Sequence, residues 1–321
     1  MQGRFSELLE QVEDLGIDAF LCCASFEERS ISIACALSAL DISKFIVAQN
    51  LDFAEESAEQ VQKVADSVGE RFVSAETNTS DPLLTADGLL VPLESLFAGA
   101  SKNVLIDITA FTREALLILL RLVNELRRGE DTVNLIYLNA SEYSVGDAED
   151  EKWLSRGIRE VRSILSYPGE IVPSKRNHLI VLVGFEYQRA LSLIQECEPS
   201  LVSLGICDEN VEPTRPHQRT NELHRKRLSA LVKAEQTFTF DGYDSLATAS
   251  TLSDLARNCE TYNTLIAPMN TKISTVGAAI AGMRDRRLQI CYAQANVYNT
   301  ANYSAPGEQF FLFPFDTVRD S

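Results

Sequence analysis

Short apolar runs alternate with amphipathic stretches along the whole chain. Asp18 to Ala24, Lys44 to Gln49, Val104 to Ile108 and Val133 to Asn139 have the length and composition of strands. Between them, Ile31 to Leu40, Ala54 to Val68 and Arg113 to Arg128 show the three-to-four-residue spacing of helices. Met1 to Gly16 reads as an amphipathic helix rather than a secretory leader, with Phe5, Leu8, Leu9, Val12 and Leu15 on one side. Strands alternating with helices of this length predict a mainly parallel sheet covered on both faces.

Turn signals then interrupt the rhythm at Tyr167-Pro168-Gly169 and at Val172-Pro173-Ser174-Lys175-Arg176-Asn177. Beyond them it resumes. His178 to Val183, Leu201 to Ile206, Thr237 to Phe240, Thr264 to Ala267 and Leu288 to Ala293 read as strands. Tyr187 to Glu196, Asn221 to Lys233, Tyr243 to Asn258 and Ser274 to Met283 read as helices. The aromatic end, Gln309 to Phe315, is extended, as an edge strand or a packing arm. The expected architecture is α/β: two tandem Rossmann-like domains with mainly parallel sheets, residues 1–168 and 169–321, related by a pseudo-two-fold axis.

The halves also echo each other in particular residues. Phe26-Glu27 after the first strand of one half matches Phe185-Glu186 after the first strand of the other. Thr112-Arg113 matches Thr271-Lys272, and Ile136-Tyr137 matches Cys291-Tyr292, each followed six residues after the tyrosine by Tyr143 or Tyr298. Several matches in one order, at nearly one offset, point to internal duplication.

Composition narrows the function classes. The net charge of -17 repels polyanions, which argues against a general nucleic-acid binder. No apolar run is long enough to span a bilayer. The seven cysteines form no C-x-x-C pair and sit mostly in apolar runs, as reduced thiols do in a cytoplasmic protein; no metal site or cofactor is expected. The exception to the acidic balance is Arg215 to Arg227, with Arg219, Arg225 and Lys226 between. It is either a solvated helix face or a clamp for a phosphorylated ligand or acidic partner.

Ligands of open parallel sheets sit beyond the carboxyl ends of the strands, where the strand order reverses. The repeated polar motifs all follow strands. Thr112 and Thr271 can cap the helices they precede. Arg113 and Lys272 place a cation at the positive end of a helix, a conflict that an anionic ligand relieves. Ser25, Asp107, Thr109 and Asn270 fall in the same turns. Glu27 and Glu186 are open to two readings: internal ion pairs with nearby arginines, or general bases and ribose contacts. Tyr143 and Tyr298 are open to base stacking or to packing. Walker A, G-x-G-x-x-G and G-x-S-x-G signatures are missing.

The stretches Asp107-Ile108-Thr109-Ala110-Phe111-Thr112-Arg113 and Asn270-Thr271-Lys272 resemble the strand-4 motif of CRISPR-associated Rossmann-fold (CARF) sensor domains. Ala110-Phe111 stand where that family carries two glycines. The resemblance implies a nucleotide-sensing or adaptor protein of an antiviral system, with a phosphorylated ligand such as a cyclic oligonucleotide between two fused copies and a partner protein reading the result. The alternatives are a nucleotide hydrolase on the same scaffold, with Glu27 or Glu186 as base, and a non-catalytic scaffold subunit.

Overall fold

The computed structural model of the protein describes residues 1–143, 153–208, 210, 215–232, 235–300 and 303–317. The chain divides into two compact units. Unit 1 is Met1–Ser144 with Thr300–Val318, and unit 2 is Val145–Asn299 with Arg319–Ser321.

Unit 1 begins with β1 (Gln2–Arg4) and a short α1 (Leu8–Glu13). It continues through β2 (Ala19–Ala24), α2 (Arg29–Leu37), β3 (Lys44–Asn50), α3 (Ala54–Val68), β4 (Phe72–Thr77), α4 (Pro82–Phe97), β5 (Asn103–Asp107), α5 (Arg113–Leu126) and β6 (Thr132–Tyr143). Unit 2 contains β7 (Ser155–Pro168), β8 (Arg176–Leu182), α6 (Tyr187–Cys197), β9 (Leu201–Cys207), α7 (Arg215–Ser229), β10 (Glu235–Phe240), α8 (Ser245–Asn258), β11 (Tyr262–Pro268), α9 (Lys272–Arg284) and β12 (Gln289–Tyr298). The last strand, β13 (Ser304–Pro314), returns to the sheet of unit 1.

The first sheet runs β1-β13-β6-β5-β2-β3-β4 and the second β10-β9-β8-β11-β12-β7. Read from β7, the second sheet repeats the run β13 to β4 of the first: an antiparallel strand, then five parallel strands in the same order. In each unit the order reverses between the first and fourth of those parallel strands, β2 and β5 or β8 and β11. This is the α/β, Rossmann-like arrangement expected.

The central strands have both faces covered. Every residue of β2 is buried, which explains its uninterrupted apolar run. Phe20 and Cys22 pack with Leu8, Ile33, Leu37, Phe45 and Val64 in the core beneath α1, α2 and α3. In unit 2, Leu179 and Val181 of β8 meet Leu193 of α6 and Ala293 of β12 in the corresponding core. No helix of the described residues is long and apolar enough to cross a membrane.

Several expectations change. The boundary is not at residue 168: β7 completes the second sheet by pairing antiparallel with β12, and β13 completes the first by pairing with β6. Each antiparallel strand thus follows, in sequence, the strand it does not pair with. The aromatic C-terminus is neither an edge nor an arm, because β1 covers its outer side. The N-terminus begins as that strand rather than as helix. The pattern of the sequence also passes over β4, α4 and β7. β4 and β7 are sheet edges, and most of their side chains are exposed or only partly buried, so their hydrophobic signal is weak. α4 carries Gly88 and an internal proline, Pro92, both poor helix formers.

Candidate functional site

The turns that follow the first and fourth parallel strands of each unit form the switch point. In unit 1 these are Ser25–Glu28 after β2 and Ile108–Thr112 after β5. In unit 2 they are Val183–Glu186 after β8 and Met269–Thr271 after β11. All the candidate residues of the repeated motifs except the two tyrosines lie in these turns or at the strand and helix ends that flank them.

The helix starts are built alike. The Thr112 hydroxyl accepts from the Ala115 N–H at 3.2 Å, and the Thr271 hydroxyl accepts from the Ser274 N–H at 2.9 Å. Each hydroxyl satisfies one of the orphan donors of a first helical turn. Arg113 and Lys272 are the first residues of α5 and α9.

Asp107 ends β5 and is 1% exposed. Its Oδ1 accepts from the Thr109 N–H at 2.9 Å, and the Thr109 hydroxyl also bonds the carboxylate while accepting from the Leu138 N–H at 2.9 Å. Its Oδ2 has no partner among the described residues. Burial pushes the Asp107 pKa up to about 7; the Thr109 bonds and the Arg29 charge oppose that rise, and the Glu27 charge adds to it.

The glutamates are committed elsewhere. In unit 1, Glu27 pairs with Arg29 at 3.2 Å, both buried, and accepts from the Ser304 hydroxyl at the start of β13. Arg29 donates to the Leu138 carbonyl at 3.0 Å and lies over the rings of Tyr137 and Tyr143, whose hydroxyls meet at 3.1 Å. Burial works against the Arg29 charge, yet Glu27 and the two tyrosines hold its pKa well above the ordinary arginine value. Unit 2 repeats the cluster. Glu186 pairs with Arg189 at 2.8 Å and accepts from the Ser155 hydroxyl at the start of β7. Arg189 donates to the Ala293 carbonyl at 2.7 Å and lies over Tyr292, whose hydroxyl meets that of Tyr298 at 3.2 Å. The ion-pair reading of Glu27 and Glu186 is the one the geometry favours; a carboxylate locked by a guanidinium and a serine is a poor general base. Tyr143 and Tyr298 likewise belong to these clusters rather than to an open stacking platform.

No protein-family model matches the chain, and a search of curated protein sequences finds no match. Among solved structures, a glycopeptide N-methyltransferase is 14% identical with a TM-score of 0.25, over 50% of this chain and 64% of its own. An S-adenosylmethionine-dependent methyltransferase is 15% identical with a TM-score of 0.25, over 44% and 36%. The chain thus spans less than two thirds of either methyltransferase. An NADPH-bound carbonyl reductase from chicken fatty liver is 8% identical with a TM-score of 0.31, over 89% and 94%. Likeness this slight carries no argument about function, so the site rests on its own geometry.

In unit 2 the turns bind each other. The Asn270 Nδ2 donates to the Val183 carbonyl at 2.6 Å, and the Thr271 hydroxyl donates to the Gly242 carbonyl at 2.5 Å. His224 of α7 donates from Nδ1 to the Gly184 carbonyl at 2.9 Å, and burial lowers its pKa. That bond takes one residue out of the basic segment. Arg225 pairs with Glu222 at 2.8 Å and with Glu235 at 3.7 Å, and Lys226 with Glu222 at 3.7 Å. Arg225 and Lys226 are thereby paired with acidic side chains; the side chains of Arg215 and His217 lie outside the described residues. His178, at the other end of its strand, bonds the Ser203 hydroxyl at 2.6 Å and is held neutral, with burial lowering its pKa to about 4.

Sequence reasoning missed Ser155 and Ser304. Their distances from the preceding tyrosines, Tyr143 and Tyr298, differ between the repeats, so no shared spacing marks them.

Proposed function

We propose that the protein is a nucleotide-binding sensor or adaptor whose ligand sits at a switch point of this Rossmann-like scaffold. The phosphate lies over a threonine-capped helix start, with Thr112 and Arg113 as the model contact and Thr109 and Asp107 beside it. The observation that carries the reading is the doubled helix start. Two helices at equivalent switch points each pair a capping hydroxyl with a cation in the first position, where the macrodipole disfavours it. Such a violation of local preference, set at a switch point, is expected where function overrides helix stability. The resemblance to CARF sensors puts a linear or cyclic oligonucleotide first among ligands and an antiviral context first among settings. A partner protein reads the liganded state.

Isothermal titration of the whole chain with AMP, ATP, cyclic di-AMP and cyclic tetra-adenylate tests this. At least one binds, and Arg113→Ala with Lys272→Ala together weaken it at least tenfold. Undiminished affinity in that double variant counts against the site. A hydrolase ranks second, since the two glutamates it would use as base are committed to ion pairs.

A further inference from the structure

We propose that the two switch points are unequal: the one in unit 1 takes the ligand, with Asp107 receiving a hydroxyl or amine hydrogen beside the phosphate, while the one in unit 2 is closed by its own chain. The inference rests on the nucleotide-binding reading and narrows it to one site per chain.

Three positions separate the units. The first lies immediately before the Phe-Glu pair of the β2 and β8 turns. Ser25 in unit 1 corresponds to Gly184 in unit 2, at the same offset as Phe26 and Phe185. A Cβ on Gly184 would stand 2.1 Å from the Met269 carbonyl oxygen and 3.1 Å from the Asn270 Cα. The two turns of unit 2 therefore touch backbone to backbone, and no ligand atom fits between them there. The second position is Phe111 against Asn270. Asn270 spends its amide on the Val183 carbonyl and its Oδ1 on the Thr271 N–H, stitching turn to turn. Phe111 is fully buried, and its side chain carries no polar group.

The third position is Asp107. Its place in the register of the fourth parallel strand is taken in unit 2 by Ala267, which has no polar group to offer. Asp107 is more than nine-tenths buried, and its Oδ2 has no hydrogen-bond partner among the described residues. The carboxylate lies among groups contributed by both turns. Oδ1 is held by Thr109 of one turn, and the charged groups that act on it, Glu27 and Arg29, come from the other, with Cys22 of β2 beneath. A buried carboxyl oxygen with no hydrogen-bond partner is costly, so such an atom marks the place of a missing partner. Thr112 differs from Thr271 in the same sense. The Thr271 hydroxyl both donates and accepts within the chain, whereas among the described residues the Thr112 hydroxyl only accepts, which leaves its hydrogen for a phosphate oxygen.

The test titrates the full chain with the same four nucleotides and compares Asp107→Asn, Asp107→Ala and Gly184→Ala. One nucleotide per chain is expected, weakened at least tenfold by either Asp107 variant while their melting curves stay cooperative. Gly184→Ala is expected to lower the melting temperature by several degrees, because the added methyl group has no room. Two nucleotides per chain, or full affinity in both Asp107 variants, overturns the inference and leaves the nucleotide reading standing. A Gly184→Ala chain that melts with the wild type overturns the closure of unit 2. Failure of all four nucleotides to bind wild type overturns the nucleotide reading and the Asp107 assignment with it, while the Gly184 result still decides the closure.

Discussion

The hydroxyl of Ser304 donates to the carboxylate of Glu27, although 277 positions separate them in the chain. Ser155 does the same to Glu186. Each serine opens the antiparallel strand of its sheet, and each glutamate stands in the turn after the first parallel strand. The two bonds therefore pin the strand that sequence neighbours alone would not bring there.

Removing the serine costs one hydrogen bond, whereas removing the glutamate strands a buried guanidinium. Ser304→Ala is expected to destabilise unit 1 by about 1 kcal/mol, and Glu27→Ala by about 3–5 kcal/mol, since Arg29 is left without its counter-ion. Glu186→Ala is expected to act on unit 2 in the same way. Differential scanning calorimetry of the three variants checks this; equal effects of Ser304→Ala and Glu27→Ala would contradict it.

The raised pKa of Asp107 makes stability depend on pH with a definite sign. Near pH 6 the folded protein holds a proton there that the unfolded chain has lost. The contribution is fully present below the ordinary carboxylate pKa, near 4, and disappears as pH rises through about 7. Asp107→Asn removes this slope. Relative to wild type, its melting temperature is expected to be several degrees higher at pH 8 than at pH 5. Parallel melting curves at the two pH values would show that the carboxyl is ionised throughout.

The pairing of β13 with β6 predicts how a cut chain behaves. A specific protease site inserted between Tyr143 and Ser155 separates the chain into two fragments, and the second carries β13. Because β13 lies between β1 and β6, both of the first fragment, the cleaved protein is expected to elute as a single species under native conditions and to separate only in denaturant. Size-exclusion chromatography of the nicked protein decides this.

Phe111 is fully buried in the β5 turn. Truncation to alanine is expected to cost about 3–5 kcal/mol through lost burial and a residual cavity. A chemical denaturation midpoint that does not move would place the ring in a looser environment than the one described.

What could be read from the chain alone was whatever depends on neighbours in sequence. The fully buried strands announced themselves as apolar runs because both their faces are covered. The threonine caps announced themselves because a cap acts within three residues. The repetition of Phe-Glu, Thr-Arg or Thr-Lys, and paired tyrosines was visible for the same reason. The edges β4 and β7 were silent, since a half-exposed strand resembles a loop in composition.

Partnership across the chain was decided only by the fold. Nothing in Ser155 or Ser304 tells which glutamate it will meet, because a strand's partner is chosen by hydrogen-bond register and shape over the whole sheet. The same holds for Asp107. Its acid group is legible as a residue type, but its burial, its unpaired oxygen and its retained proton come from groups far apart in sequence that the packed strands bring together. Local pattern sets which segments become strands and helices; long-range burial sets which of their charges remain available for chemistry.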